Sequence, residues 1–158
     1  MRGNDQVIAK LNEALREELT AINQYFVHAE MCHNWGYHRL GNYIRKQSIG
    51  EMKHAEELIE RILFLEGIPN MQRLGKINIG ENVPEILKLD LALEMDAIPR
   101  LNKAVETCRD AGDNTTRMLV EEVLKDEEEH VDWLEAQLEL IAQVGAQNYL
   151  AQQIRGEE

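Results

Sequence analysis

The chain has 158 residues and a formal net charge of −12, and we expect residues 1–158 to form one domain with its own core. It has no basic stripe, which argues against a nucleic-acid partner. The two cysteines lack CxxC spacing, the first residues show no apolar leader, and no run approaches the roughly 18 apolar residues of a membrane helix. We therefore expect a cytoplasmic protein without membrane contact.

Apolar residues at helical spacing over long stretches predict an all-α protein. The positions of glycine and proline divide it into four long helices, at about 5–35, 39–66, 83–111 and 114–144. Short turns join the first helix to the second and the third to the fourth, so each pair should be antiparallel. Gly112 suits a helix end and Asp113 a helix start. A short fifth helix is predicted at 147–155.

The connection between the second and third helices, residues 67–82, contains three glycines and one proline. A helix of about 28 residues is about 42 Å long, whereas about 16 extended residues span about 50 Å. The connection is therefore long enough to run the length of the bundle. The second and third helices would then lie parallel.

Each long helix has a stripe of core-facing positions, spaced by three and four residues, with a polar interruption at its middle. The interrupting residues are Glu18, Glu51 and His54 in the first hairpin and Glu94, Glu127 and His130 in the second. Glu18 and Glu51 are 33 residues apart, and so are Glu94 and Glu127. The chain therefore reads as two copies of one hairpin, each with a lone Glu on its first helix and a Glu-x-x-His motif on its second.

Four ionised glutamates inside a bundle would be strongly unfavourable without compensation, and no Lys or Arg occupies these stripes. Metal ions supply that compensation, because residues three apart share a helix face and can bind one ion together. Carboxylates and imidazoles without thiolates favour iron or manganese, with zinc also possible. Two divalent ions would balance the four glutamates. Two lone Glu and two Glu-x-x-His motifs are typical of di-iron carboxylate sites in ferritin-like bundles.

The sequence resembles the bacterioferritins over nearly its whole length. The resemblance is carried by the stretches LREELTAINQYFVHAEM (15–31), GEMKHAEELIERILFLEGIPN (50–70) and LVEEVLKDEEEHVDWLE (119–135). It implies a ferritin-like four-helix bundle and a hollow cage of 24 subunits built from two-fold dimers. It further implies ferroxidase activity with oxygen or peroxide, storage of a ferric mineral, haem b between paired subunits, and an electron donor such as a small ferredoxin.

Carried over by position, the resemblance implies that one iron is bound by Glu18, Glu51 and His54 and the other by Glu94, Glu127 and His130. Glu51 and Glu127 would bridge the two ions. Tyr25, on the same face as Glu18, would form a hydrogen bond beside the site or simply pack in the core.

Met52 lies inside the first Glu-x-x-His motif but turns about 130° away from the midpoint of Glu51 and His54 on a helical wheel. Its side of the bundle also carries Ile49, Ile59, Leu19 and Phe26, an apolar patch typical of a subunit interface. The resemblance implies that two Met52 side chains bind one haem across a two-fold axis.

Several residues depart from the family pattern or have weaker assignments. Lys46 and Gly50 stand where some bacterioferritins have a His and an Asp that form an extra inner iron site. Pro99 should kink the third helix. We expect His28, His33 and His38 at the surface, and Cys32 and Cys108 as inert packing thiols. The candidate pore residues are Asn34, Glu66, Asp132 and Glu139.

Two other functions remain open from the sequence. The chain could be a haem-binding electron carrier with a vestigial carboxylate site, although all six ligand types are retained. It could also be a rubrerythrin-like di-iron peroxidase, although the usual paired CxxC motifs are lacking. The sequence also leaves open whether iron stays at the site as a cofactor or passes through it.

Overall fold

The computed structural model describes residues 1–155, which form five α-helices and no strand. In chain order they are α1 (Asp5–Asn34), α2 (His38–Phe64), α3 (Val83–Asp110), α4 (Asn114–Val144) and α5 (Ala146–Ala151). The predicted all-α architecture is confirmed, and the long helices end within two residues of the expected bounds. No helix in the described range is long and apolar enough to span a membrane.

The fifth helix is shorter than the predicted 147–155. Its end is closed by tight turns, in which the amides of Gln152 and Gln153 donate to the carbonyls of Tyr149 and Leu150. The Gln153 carbonyl then accepts a hydrogen bond from the amide of Arg39, at 3.0 Å. The chain therefore docks onto the start of α2 instead of continuing as a helix. Residues 156–158 of the predicted domain lie outside the described range.

The turn between α3 and α4 has the predicted chemistry. Gly112 adopts a φ of +73°, a conformation that glycine reaches without strain. The carboxylate of Asp113 then accepts a hydrogen bond from the amide of Thr116, which caps α4. Arg61 of α2 also donates to Asp113 at 3.2 Å, so this cap is tied to the neighbouring hairpin.

The core consists of two apolar clusters at different depths of the bundle. One is built around Leu11, Leu15, Leu58 and Leu101. The other is built around Tyr25, Ile44, Leu87 and Leu134. The polar residues predicted as ligands occupy the chain positions between these clusters. Apolar packing therefore shields them from water at both ends of the bundle, which lowers the local dielectric.

The long crossover follows α1 along its length. The amides of Asn70, Gly75, Asn78 and Gly80 donate to side chains of Asn12, Thr20, Gln24 and His28, respectively. Both sets of residue numbers rise together, so the crossover runs in the same direction as α1. It returns the chain to the opposite end of the bundle, and α2 and α3 are parallel as predicted.

His28 is fully buried, and the prediction of a surface position is wrong for this residue. Its Nε2 accepts a hydrogen bond from the amide of Gly80, which leaves Nδ1–H to donate to Asp90 at 2.9 Å. Gln24 donates to the same Asp90 oxygen. The crossover covers this face of α1, which periodicity within the helix does not reveal. His33 is half-buried against His38, and His38 is exposed as expected.

Replacing Asp90 by alanine should lower the free energy of unfolding by about 2–4 kcal/mol, because two buried donors lose their acceptor. Urea unfolding followed by circular dichroism measures this loss. Glu106→Ala removes an exposed carboxylate from the same helix and should change stability by only about 0.5 kcal/mol or less. Equal effects of the two substitutions would contradict a structural role for the network of Gln24, His28 and Asp90.

Candidate metal centre

All six predicted ligand residues are buried in the middle of the bundle, and all four long helices contribute. They are Glu18 from α1, Glu51 and His54 from α2, Glu94 from α3, and Glu127 and His130 from α4. None exposes more than 7 % of its surface. The three-residue spacing within each Glu-x-x-His motif places its two side chains on one helix face.

Four of these residues form a tight cluster. Glu18, Glu51, His54 and Glu127 each offer one ligand atom, and these atoms lie within 4.8 Å of one another. The Nδ1 atom of His54 lies 3.5 Å from a Glu18 oxygen and 3.7 Å from a Glu51 oxygen. One carboxylate from the second hairpin thus joins the three polar residues of the first hairpin.

Glu94 and His130 lie beside the cluster but contact each other. His130 Nδ1 is 2.7 Å from Oε2 of Glu94, and the hydroxyl of Tyr25 donates to the same oxygen at 2.5 Å. Tyr25 therefore makes a hydrogen bond to a predicted ligand, in addition to packing in the core. Its ring also packs edge-on against the His130 ring.

The cluster contains polar atoms that have no partner in the described part of the chain. Oε2 of Glu18, Oε2 of Glu51, Oε1 of Glu127 and Nδ1 of His54 are buried without a hydrogen bond. No Lys or Arg within residues 1–155 forms an ion pair with these carboxylates. Buried donors and acceptors are normally satisfied. A cation bound among them would satisfy all four, and this donor set suits iron or manganese, with zinc as a further candidate.

Burial dominates the acid–base behaviour of the cluster. It raises the pKa of Glu18, Glu51 and Glu127 well above the usual 4.5, and the neighbouring carboxylates raise each pKa further. Burial, followed by the charge of Glu94, also raises the pKa of Tyr25, so its hydroxyl keeps the proton that it donates. Without a bound cation the cluster therefore favours protonated carboxyl groups.

Metal-free protein should lose stability as the pH rises above the ordinary carboxyl pKa of 4.5. The unfolded chain releases these protons there, whereas the folded chain retains them up to its raised pKa values, so the folded state binds more protons. For one carboxyl group, a tenfold difference in proton affinity between the folded and unfolded chain is worth about 1.4 kcal/mol. Urea midpoints in a chelating buffer should fall between pH 5 and pH 8.

The double variant Glu51→Gln/Glu127→Gln serves as the control, because it lacks two of the three cluster carboxyl groups whose pKa is raised. Its midpoint should fall much less over the same pH interval. An equal fall in both proteins would show that general surface charge, and not the cluster, sets the pH dependence.

The ferritin-like domain model matches residues 8–144, the range that contains all six predicted ligands. The bacterioferritin of Mycobacterium tuberculosis is 47% identical over 152 residues, 96% of each chain. The bacterioferritin of Brucella melitensis is 46% identical over 149 residues, 94% of this chain and 92% of the relative. The bacterioferritin of Streptomyces coelicolor is 46% identical over 151 residues, which are 96% of this chain and 90% of the relative.

The chain belongs to the bacterioferritin family. This membership, together with the buried carboxylate–imidazole cluster, supports iron storage as its function. The expectation of a ferritin-like bundle with a long crossover and a short fifth helix is confirmed.

Asp126 contacts this candidate metal centre, and the sequence analysis did not identify it. Its carboxylate lies 2.8 Å from Nε2 of His54, although its side chain is 53% exposed. It precedes Glu127 on α4 and falls outside the apolar stripe, so the periodicity of the sequence does not indicate a role in the cluster. The sequence feature that could have identified Asp126 is its position immediately before the predicted ligand Glu127.

A cavity of about 260 Å³ opens onto the centre between α2 and α4. Its lining residues are Tyr43, Lys46, Gln47, Gly50, Glu51, His54, Asp126, Glu129 and His130. Lys46 and Gly50, the residues at the two positions discussed above for the extra inner iron site, thus lie at this opening. Pro99 lies elsewhere, within a continuous α3, and its predicted kink stays a prediction.

Met52 lies outside the metal cluster, on an exposed side of α2. It is 53% exposed and lines a shallow cavity of about 450 Å³ with Leu19, Ile22, Ile59 and Met71. Phe26 and Ile49 are exposed as well. Three members of the predicted apolar patch, Met52, Leu19 and Ile59, therefore share one surface.

The two cysteines are free and buried. Burial raises the pKa of Cys32 to about 12 and that of Cys108 to about 11. Because the thiolate is the reactive form, both thiols should be inert at neutral pH, in agreement with their expected packing role.

Proposed function

We propose that this chain is a ferroxidase that stores iron. It would bind two Fe(II) ions at the six-residue centre, couple their oxidation to the reduction of oxygen or peroxide, and keep the ferric product inside a shell of 24 subunits. The observation that carries this proposal is the cluster of buried, unpaired carboxylate and imidazole atoms at the middle of the bundle.

Each hairpin would supply one set of ligands. Glu18, Glu51 and His54 would bind one Fe(II) ion. Glu94, Glu127 and His130 would bind the other, with Glu51 and Glu127 shared between the two. The inclusion of Glu127 in the cluster around His54 supports its bridging role. Two divalent ions would balance the four glutamate charges, which offsets the cost of burying them.

The surrounding residues would hold the ligands in place. Tyr25 donates to Glu94 and so fixes the oxygen that also contacts His130. Hydrogen bonds of this kind set ligand orientation and typically change metal affinity by about 10–100-fold. The apolar clusters on both sides exclude bulk water, so the cavity between α2 and α4 would be the route for Fe(II) and the oxidant.

We also propose that a haem b would be held between two subunits by the Met52 thioether of each subunit. Met52 is exposed on an apolar surface, and a residue near a two-fold axis meets its own copy. The haem would carry electrons into the mineral during iron release, and a small ferredoxin is a candidate donor. The free, buried cysteines agree with a cytoplasmic location.

The assembled shell would carry a strong negative field. Each subunit has a formal charge of −12, so 24 copies would carry roughly −288 and attract cations toward pores and cavity. The candidate pore residues Asn34, Glu66, Asp132 and Glu139 are all exposed on the isolated subunit. They are therefore available to line openings between subunits.

Storage requires that iron added in large excess stays soluble with the protein. Aerobic addition of about 20 Fe(II) ions per subunit, far more than two per subunit, should give a growing ferric absorbance that elutes with a species much larger than a dimer. Light scattering and iron analysis of the same fractions measure both properties. A stable monomer or dimer at physiological salt, with iron precipitated outside it, would contradict storage. A Soret band without ferric absorbance would instead indicate a haem electron carrier.

A further inference from the structure

The two halves of the metal centre are related by the repeat in the sequence. Adding 76 to a residue number converts Glu18 to Glu94, Glu51 to Glu127 and His54 to His130. The two hairpins carry these equivalent residues on equivalent helices, α1 with α3 and α2 with α4. We call Glu18, Glu51 and His54 the His54 side, and Glu94, Glu127 and His130 the His130 side.

The repeat breaks at the residue before each Glu-x-x-His motif. Asp126 precedes Glu127, whereas the equivalent residue before Glu51 is Gly50. Asp126 reaches across to His54 of the other hairpin and contacts its Nε2 at 2.8 Å. The same relation in the other direction would join residue 50 to His130. Glycine has no side chain to make that contact, although it lines the same cavity as His130.

The two histidines consequently differ in how they are held. When Nε2–H of His54 donates to Asp126, Nδ1 keeps its lone pair and faces Glu18 and Glu51 without another partner. The ring is thereby fixed in the form and direction that a metal ion requires. No group within residues 1–155 forms a hydrogen bond to Nε2 of His130. Its Nδ1 contacts Glu94, and that contact must loosen before both bind an ion.

We propose that Asp126 is a positioning residue that makes the His54 side the tighter of two metal sites, while Gly50 leaves the His130 side the weaker. This inference rests on the proposed two-metal function. An ion on the His54 side would be retained, and an ion on the His130 side would exchange more readily. A centre with one retained and one exchanging position combines a fixed partner for oxidation with a path for iron to leave.

Co(II) titration of the assembled protein tests the proposal without any turnover, since Co(II) gives a ligand-sensitive visible spectrum and is stable in air. Wild-type protein should bind in two steps of different affinity. Single variants assign the steps: His130→Ala should abolish the weaker step and His54→Ala the tighter one. A wild-type protein with no Co(II) site at all would contradict the proposed function itself.

Asp126→Ala should weaken the tighter step by about 10–100-fold and leave the weaker step unchanged. Asp126→Asn should weaken it less, because the amide oxygen still accepts the hydrogen bond from His54. Glu128→Gln is the control for charge, since Glu128 is an exposed carboxylate on the same helix that does not line the cavity. If Asp126→Ala weakened both steps equally, or matched Glu128→Gln, Asp126 would act only through its charge and the inference would be wrong.

Introducing an aspartate at position 50 provides a second test of the proposal. A Cβ added at Gly50 meets no atom within 4 Å, so a side chain can start there without displacing its neighbours. Gly50→Asp should tighten the weaker step, whereas Gly50→Ala should leave it unchanged. In the double variant Gly50→Asp/Asp126→Ala, the order of the two sites should reverse. Failure of Gly50→Asp to tighten the weaker step would overturn the role given to Gly50.

Discussion

Replacing Glu51 by glutamine should lower the initial rate of Fe(II) oxidation by about 100-fold or more. Even residues that only support metal ligands cost about 10–100-fold when removed, and Glu51 is proposed to contact both ions. Its carboxylate oxygen is buried and unpaired at the cluster, so no neighbour can take its place. Glu18→Ala and His130→Ala should likewise abolish rapid oxidation, each by removing a ligand from one side. Stopped-flow absorbance of the ferric product measures the rates.

Glu51→Gln should leave the metal-free fold intact or raise its free energy of unfolding by about 1–3 kcal/mol, because an amide of equal shape replaces a carboxyl group that is costly to bury. Loss of rate therefore cannot be attributed to unfolding. Glu57→Gln is the matched control, since it removes an exposed carboxylate from the same helix. Wild-type initial rates in Glu51→Gln would show that the oxidation site lies elsewhere.

Met52→Leu should reduce haem content from about one per two subunits to nearly none, because leucine keeps the apolar volume but has no sulfur to bind iron. The cage and the oxidation of Fe(II) should be unaffected, since Met52 lies outside the metal cluster. Absorbance of the Soret band, with haem and subunit analysis, measures the loss. Met52→His should keep haem but change its spectrum.

Met71→Leu is a demanding control for this result. Met71 lines the same surface cavity as Met52 and is similarly exposed, so it is a second thioether that a bound haem could contact. The Met71 variant should retain haem with the wild-type spectrum. Haem kept at full occupancy in Met52→Leu would show that Met52 does not hold the haem. Loss of haem only in Met71→Leu would assign that role to Met71.

The six candidate ligands could be identified from the sequence because each interrupts an apolar stripe. A Glu or His at a core position such as Glu94 or His54 conflicts with burial, and the conflict recurs at matched spacing in both hairpins. A pattern of this kind can be recognised from the sequence alone. Asp126 produced no such conflict, since a carboxylate on the solvent side of α4 is ordinary, and its contact with His54 depends on the neighbouring helix.

His28 shows the same limit of sequence patterns, since it was predicted to be exposed and is buried. Its position on α1 predicted exposure, yet the crossover covers that face and supplies the amide of Gly80 as a donor. The sequence indicated that the crossover was long enough to span the bundle, but not which face of α1 it would follow. The extent of α5 was also missed: the helix ends at Ala151, and the Gln153 carbonyl accepts a hydrogen bond from the amide of Arg39 on α2.

The sequence by itself determined the helices, their pairing into two hairpins, and the identity of six residues suited to metal, because these depend on periodicity and on charges at core positions. Only the tertiary structure decided how these residues are arranged. In the folded chain Glu127 lies beside His54, and Glu94 contacts His130 and Tyr25. Asp126 contacts His54, whereas His130 has no equivalent aspartate within the described residues. Such contacts depend on the distance between helices, which residue spacing within one helix does not specify.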